Sequence, residues 1–291
     1  MTGSLRPPII LIGNYRSGTS IVQQLIGLHP DIATWYEPRT LWLYADPGRR
    51  HDEFDERDAT PKVACYIRAR FLKYQKRHGG RRIMEKTPAN ILKVPYVHAI
   101  FPEATYLHIT RNPFSFISSV EFKWQRTKTL RGIRRSLADA PVTQLPYYAR
   151  QMAEDLIRKK ILKQKYISMY GPRYLGIEED LKAQGKLRVI ARQWALCNRK
   201  AREDLQRLGR GRVLSFRYED LIADPDSLVS EIYDHCGLAC SDEIRRSARE
   251  MVDPGRQEKW LRLDRQQLTT IMPELQREMD VYGYELPHAL V

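Results

Sequence analysis

The sequence predicts an α/β fold with a central parallel β-sheet flanked by helices, built on a strand-loop-helix of the P-loop type. Two observations carry this prediction. Residues Pro8 to Pro30 (PIILIGNYRSGTSIVQQLIGLHP) join a continuous apolar run, a polar turn containing glycines and an apolar pattern of helical period: a buried strand, a tight loop and a helix. Short strand-like runs then alternate with helical segments along most of the 291 residues, the order that places parallel strands in one sheet.

The first strand is Ile9 to Ile12, and Gly13 opens the loop. Ile21, Val22, Leu25, Ile26 and Leu28 follow at helical spacing, and His29-Pro30 ends the helix. In Gly13-Asn14-Tyr15-Arg16-Ser17-Gly18-Thr19-Ser20 the glycines let backbone N–H groups turn inward, and Thr19 and Ser20 open the helix, so the loop is shaped to cradle a phosphate. A nucleoside-triphosphate loop needs a lysine directly after its second glycine; Thr19 stands there, and the cation has moved inside the loop to Arg16. The forked guanidinium grips one terminal phosphate but is not placed to neutralise a triphosphate chain under cleavage, which argues against ATP or GTP.

Asp31 to Tyr36 (DIATWY) is the second strand and delivers Glu37 at its end, where residue type alone favours a solvated carboxylate. Ala45 to Pro61 is turn-rich and dense in charges of both signs, which predicts a surface loop. From Pro61 a helix carries Val63, Ile67, Phe71 and Tyr74 on one face and stops at Gly79-Gly80. Arg81 to Lys86 (RRIMEK) is the third strand, ending in Lys86-Thr87-Pro88, and the helix over Ala89 to Phe101 is kinked or interrupted at Pro95.

Ala104 to Thr110 (ATYLHIT) is the fourth strand; Asn112 suits the N-cap of the next helix and Pro113 its first position. Arg111 thus falls where strand becomes helix, with Ser119 about two turns further on. Taken alone, an arginine at such a cap is structural as readily as functional. After a phosphate loop it reads as a second anion site. Its strand carries no terminal Asp, so the magnesium ligand expected beside a triphosphate loop is missing, and no metal is expected.

Lys186 to Leu208 is a long helix with Ile190, Trp194 and Cys197 in its core face, broken by Gly209-Arg210-Gly211. Arg212 to Tyr218 (RVLSFRY) is the fifth strand, leading into Glu219-Asp220-Leu221. Asp224-Pro225 starts a helix through Leu228, Ile232 and Tyr233 to Gly237. A loop, Val252 to Trp260 (VDPGRQEKW), precedes a final amphipathic helix with Leu268, Ile271, Leu275 and Met279.

The net charge of +14 calls for a polyanionic partner: nucleic acid, an anionic membrane surface, or acidic substrates and cofactors. Much of the excess lies in a long basic helical insertion, about 125–173, which includes Arg126, Lys128, Arg131, Arg134, Arg135, Arg158, Lys159, Lys160, Lys163 and Lys165. It reads as a solvated helical face or as an acceptor-side surface that attracts an anionic substrate or membrane; its aromatics are too sparse for base stacking, which disfavours nucleic acid. No apolar run approaches the length of a membrane span, and the first residues lack the apolar core of a signal peptide, so a cytoplasmic protein, or one peripheral to a membrane, is expected. The four cysteines form no metal signature and read as buried reduced thiols.

Taken together, these motifs resemble the sulfotransferases that use 3′-phosphoadenosine 5′-phosphosulfate (PAPS), in the family's order and over most of the chain apart from the basic insertion. The resemblance implies the sulfotransferase fold as a single domain over 1–291. It implies that Arg16-Ser17-Gly18-Thr19-Ser20 binds the donor's 5′-phosphosulfate and that Arg111 with Ser119 binds its 3′-phosphate. Phe216-Arg217-Tyr218-Glu219-Asp220-Leu221 is similar to the family's Tyr-Glu-Asp segment, whose tyrosine lies against the adenine. The loop with Arg256 and Lys259 sits where the family supplies further basic residues to the 3′-phosphate.

Soluble small-molecule members carry Lys-Thr-His after the second strand, with the histidine as base; this chain has Lys86-Thr87-Pro88, so that histidine is absent. His29-Pro30-Asp31, a strand and Glu37-Pro38 instead resemble the carbohydrate and tyrosylprotein members, which implies Glu37 as base and Lys86 at the leaving oxygen, with Arg16 holding the 5′-phosphate. The expected reaction is O-sulfation with PAPS as donor, 3′,5′-bisphosphoadenosine (PAP) as product, and a saccharide, glycolipid or other small hydroxyl compound as acceptor; a peptide tyrosine stays open. Two competing readings are a small-molecule kinase on a related scaffold, opposed by the missing lysine after Gly18 and the missing metal ligand, and a non-catalytic basic polyanion binder.

Overall fold

The structure is a computed structural model that describes residues 4–124, 150, 171–209, 211–252 and 263–285. Five parallel strands make one sheet: β1 (Ile9–Gly13), β2 (Ile32–Tyr36), β3 (Arg82–Lys86), β4 (Thr105–Thr110) and β5 (Val213–Arg217), in the spatial order β2-β3-β1-β4-β5. This is the α/β architecture expected from the alternation of strands and helices. The register places Leu11 beside Lys86, Tyr36 beside Lys86, Gly13 beside Ile109 and Thr110 beside Arg217. All five strands therefore end at the same edge.

The apolar strands are explained by burial on both faces. Along β1, Ile10 and Ile12 join one core cluster with Val63, Ile67, Phe71 and Tyr96, while Ile9 and Leu11 join a second with Val22, Ile26 and Ile232. All four β1 side chains are fully buried, each stabilising the fold by about 1.5–3 kcal/mol relative to exposure. The helices on one face include α1 (Thr19–Ile26); the other face is covered by α3 (Pro61–Arg77), which follows the short α2 (Arg39–Trp42), and α4 (Val94–Ile100). Thr60 caps α3 by accepting from Val63 N–H, Pro61 occupies its first turn, and Val63, Ile67, Phe71 and Gln75 form its buried stripe.

A third cluster gathers Phe114, Ile117, Trp194, Ile271 and Met279 from α5 (Pro113–Trp124), α7 (Lys186–Gln206) and α11 (Arg265–Tyr282), with α6 (Ile177–Gln184) packed on α7. The remaining helices are α8 (Tyr218–Ala223), α9 (Pro225–His235) and α10 (Asp242–Met251).

Several local expectations are corrected. Pro95 does not kink a helix: a 3₁₀ turn over Pro88–Leu92 ends before Lys93, and Pro95 then sits in the first turn of α4, where its missing N–H costs nothing. The segment 45–61 is not simply a surface loop, because Asp52 is fully buried and Phe54 nearly so. Tyr218 starts α8 and does not end β5. Cys65 is exposed, pointing away from the Val63/Ile67/Phe71 stripe, whereas Cys197 and Cys236 are buried and Cys240 is half-buried. The basic stretch lies outside the described residues except for 150 and 171–173, and so do Arg256 and Lys259. Among the described residues no helix is long and apolar enough to cross a membrane.

Candidate active site

Because the strands are parallel, the residues that follow their C-terminal ends share one edge, the side of an open α/β sheet where ligands bind. In spatial order that edge carries Glu37 after β2, Lys86 at the end of β3, the glycine loop after β1, Arg111 after β4 and Tyr218 after β5.

The loop is tightly built. Gly18 has φ of 90°, and a Cβ there would come within 2.4 Å of the Tyr218 ring, so both conformation and space demand glycine. Arg16 also adopts a positive φ, 66°. Ser17 N–H donates to Asn14 O at 3.2 Å, and the first turn of α1 holds no acidic side chain, leaving the positive end of the helix unopposed. Asn14 and Ser17 are fully buried, yet among the described residues neither the amide atoms of Asn14 nor Ser17 Oγ has a hydrogen-bond partner. Buried polar atoms normally find partners, and the donors among these, Asn14 Nδ2 and Ser17 Oγ, suit a bound anion beside the loop N–H groups. The residues present therefore fit a phosphate group.

A second set of side chains closes on the same loop. Arg16 Nε donates to Ser119 Oγ at 2.9 Å, and Arg111 Nη1 donates to the carbonyl of Arg16 at 3.0 Å. The Arg111 guanidinium lies 4.6 Å from the centre of the Tyr218 ring. Burial pulls its pKa below the usual arginine value, with the nearby Glu219 acting against that shift. Asn112 caps α5 as expected, its Oδ1 accepting from Phe114 and Ser115 N–H at 3.0 and 3.2 Å. Arg16, Ser17, Gly18, Thr19, Ser20, Arg111, Ser119 and Tyr218 thus converge on one region from four separate elements.

On the other side of the loop, Glu37 has φ of 51°, and its N–H continues the β2–β3 ladder by donating to Lys86 O at 2.9 Å. This turn aims its carboxylate at Lys86, whose Nζ lies 2.6 Å from Glu37 Oε1 and 3.9 Å from the centre of the Tyr36 ring. Lys86 is only 1% exposed at its side chain and Glu37 38%, so the cation is fixed by its surroundings while the carboxylate faces outward. A proton acceptor and a cation therefore stand together beside the cradle.

Beneath this pair lie charged residues that the sequence pattern did not single out. Glu85 is fully buried and accepts from Trp42 Nε1 at 3.0 Å, Thr87 Oγ1 at 2.6 Å and Asn90 Nδ2 at 3.1 Å; burial pushes its carboxyl up to about 7 against these donors. Asp52 receives Arg39 Nη2 at 2.9 Å, Arg173 N–H at 2.8 Å and Arg173 Nε at 3.2 Å. Lys93, fully buried, lies 4.7 Å from the Phe54 ring centre, and its Nζ makes no hydrogen bond among the described residues. The one available signal was a carboxylate directly after the apolar pair Ile83-Met84 within a short strand, and it marks Glu85.

The description "Sulfotransferase family" fits a family model matched by residues 7–170 and 173–242. Among curated relatives, the chain is 30% identical over 129 residues to nodulation protein NoeE of Sinorhizobium fredii, covering 39% of this chain and 31% of that one. It is 26% identical over 124 residues to protein-tyrosine sulfotransferase 1 of Danio rerio, covering 39% and 35%. The matched stretch spans about a third of the length of these relatives. Among solved structures, the sulfotransferase domain from the curacin biosynthetic pathway superposes with a TM-score of 0.59 at 16% identity, over 98% of this chain and 100% of that one. A sulfotransferase from Alicyclobacillus acidocaldarius gives 0.51 at 17% identity, over 97% of each. These two structures share the fold, and the family match, running through the cradle, Glu37, Lys86, Arg111 and Tyr218, makes this chain a member of the sulfotransferase family.

Proposed function

We propose that this chain is a PAPS-dependent O-sulfotransferase in which Glu37 is the base and Lys86 stabilises the leaving oxygen. The observation that carries this reading is the 2.6 Å contact between Lys86 Nζ and Glu37 Oε1 at the edge that also holds the phosphate cradle. When bound, PAPS supplies the sulfuryl group, with the bridging phosphate oxygen as leaving atom.

The chain's own residues divide the work by position. Arg16, Ser17, Gly18, Thr19 and Ser20 hold the 5′-phosphate through the loop N–H groups and the helix end. Arg111 and Ser119 take the 3′-phosphate, and Tyr218 offers its ring to the adenine. Glu37 accepts the proton of the acceptor hydroxyl as its oxygen forms the new bond to sulfur, and Lys86 offsets the charge that develops as the electron pair of the old S–O bond stays with phosphate. No step calls for a metal. The acceptor class is a saccharide, glycolipid or other hydroxyl compound, reached at the β2–β3 side of the edge. In the same reading the protein works in the cytoplasm or against an anionic membrane surface that its net charge of +14 favours.

The test is thermal stabilisation by PAP without metal, compared with ATP and magnesium, on wild type and Arg111→Ala. At a hundred times its dissociation constant PAP stabilises by about 2.7 kcal/mol, and this is lost in the variant. Stabilisation by ATP with magnesium alone would replace the reading with a kinase.

A further inference from the structure

The chain returns to the donor side of the sheet at the end of α11. Gly283, at φ 66°, turns it back, and the Tyr284 N–H donates to Met279 O at 2.9 Å. This lays the Tyr284 ring against Trp194, with ring centres 6.1 Å apart, and leaves the residue 8% exposed. The Tyr284 hydroxyl donates to Glu219 Oε2 at 3.1 Å and lies 3.2 Å from Thr110 Oγ1. The other oxygen of Glu219 accepts the Asn112 N–H at 3.0 Å. Trp194 Nε1 donates to the Arg111 carbonyl at 2.8 Å.

Those last two contacts grip the two ends of a single peptide unit, the one joining Arg111 to Asn112. That unit sets the direction in which the Arg111 side chain leaves the sheet. Glu219 is also the carboxylate that acts electrostatically on the Arg111 guanidinium. If it were free to turn, Glu219 would compete with a ligand phosphate for that cation. The Tyr284 hydroxyl commits one of its oxygens and so keeps the other on the backbone.

We propose that Tyr284, acting through Glu219, is a positioning residue for Arg111, and that this relay sets the preference for a nucleotide carrying a 3′-phosphate over one without it. The inference rests on the reading of Arg111 as the 3′-phosphate contact. It adds Glu219 of α8 and Tyr284, just past the end of α11, to the groups that define donor specificity.

The experiment measures dissociation constants of PAP and of adenosine 5′-monophosphate, which lacks only the 3′-phosphate, by titration calorimetry on the full chain. Wild type, Tyr284→Phe, Glu219→Gln and Arg111→Ala are compared. Tyr284→Phe keeps the ring packing and removes one hydroxyl; it should cut the preference for PAP about tenfold, the scale of one part-buried hydrogen bond to a charged group, with monophosphate affinity held within about twofold. Glu219→Gln, which still accepts from Asn112 but carries no charge, should lose less than Tyr284→Phe, and it also serves if the latter fails to fold. An unchanged preference in both variants, or an equal fall for both nucleotides, overturns the proposal. Arg111→Ala separates the two levels: retained preference in that variant overturns the site assignment itself, whereas loss there with no effect at Tyr284 and Glu219 overturns only the relay.

Discussion

Lys86 Nζ lies 2.6 Å from Glu37 Oε1, although the two residues are 49 positions apart and belong to different strand ends. The contact follows from β2 lying beside β3 and from the left-handed turn at Glu37. It places the two groups on the same side of the cradle. Glu37→Gln should therefore lower kcat by a hundredfold or more, the scale of a lost general base, while PAP affinity stays unchanged. Near-intact turnover in steady-state kinetics would reduce Glu37 to a surface partner of Lys86.

Gly18→Ala tests the cradle. The substitution forces an L-residue to φ 90° and drives its methyl within 2.4 Å of the Tyr218 ring. Either the loop or the ring must move, and both belong to the proposed donor site. The variant should lose at least about 1 kcal/mol of stability and bind PAP more weakly, as read by melting and calorimetry. An unchanged affinity would show that the loop does not hold the nucleotide.

The elements legible in the sequence are those whose cause is local. Ile9 to Ile12 announce a strand buried on both faces, and Asn112-Pro113 announce a helix start, because periodicity and capping act within a few residues. Asp52 was illegible for the opposite reason. Its partners Arg39 and Arg173 lie 13 and 121 residues away, and a charge-rich loop looks solvated until the fold brings them together. Cys65 misled because a helical pattern does not by itself say which face is inside. The Glu37–Lys86 contact depends on strand order, which no single segment encodes.

Lys93 supplies a stability prediction. Its ammonium is buried among Asp52, Arg39, Arg173 and Glu85 with no hydrogen bond among the described residues, and burial pulls its pKa down to about 7, against the pull of Asp52. A folded pKa below the unfolded value of about 10.4 means that the chain binds fewer protons folded than unfolded between these two values. Stability from this group therefore grows as pH rises from about 7 to about 10.4, and by the time pH has fallen below 7 that contribution is fully lost. Lys93→Met, similar in volume and uncharged, should be more stable than wild type at pH 6 by about 1–4 kcal/mol, with the difference closing at alkaline pH. Urea denaturation of both proteins across that range decides it; a less stable variant at pH 6 would mean that the ammonium has a compensating anion.

Asp52 predicts the reverse behaviour. Although burial alone would raise its pKa, the Arg39 and Arg173 guanidiniums hold the carboxyl well below the usual carboxylate range. Its contribution is therefore fully present above an unfolded pKa of about 3.9 and is lost as pH falls toward the folded value. Asp52→Asn leaves two arginines facing a neutral amide in the interior and should cost about 3–5 kcal/mol at pH 7, the range for a broken buried ion pair. The difference from wild type should shrink as the pH drops below about 4, where the wild-type carboxylate begins to be protonated. Because Arg39 N–H also donates to the Glu37 carbonyl at 2.7 Å, the same variant should loosen the turn that carries the proposed base and lower kcat more than it changes PAP affinity. A constant stability gap down to pH 3 would show that the carboxylate's charge is not what holds Arg39 and Arg173 in place.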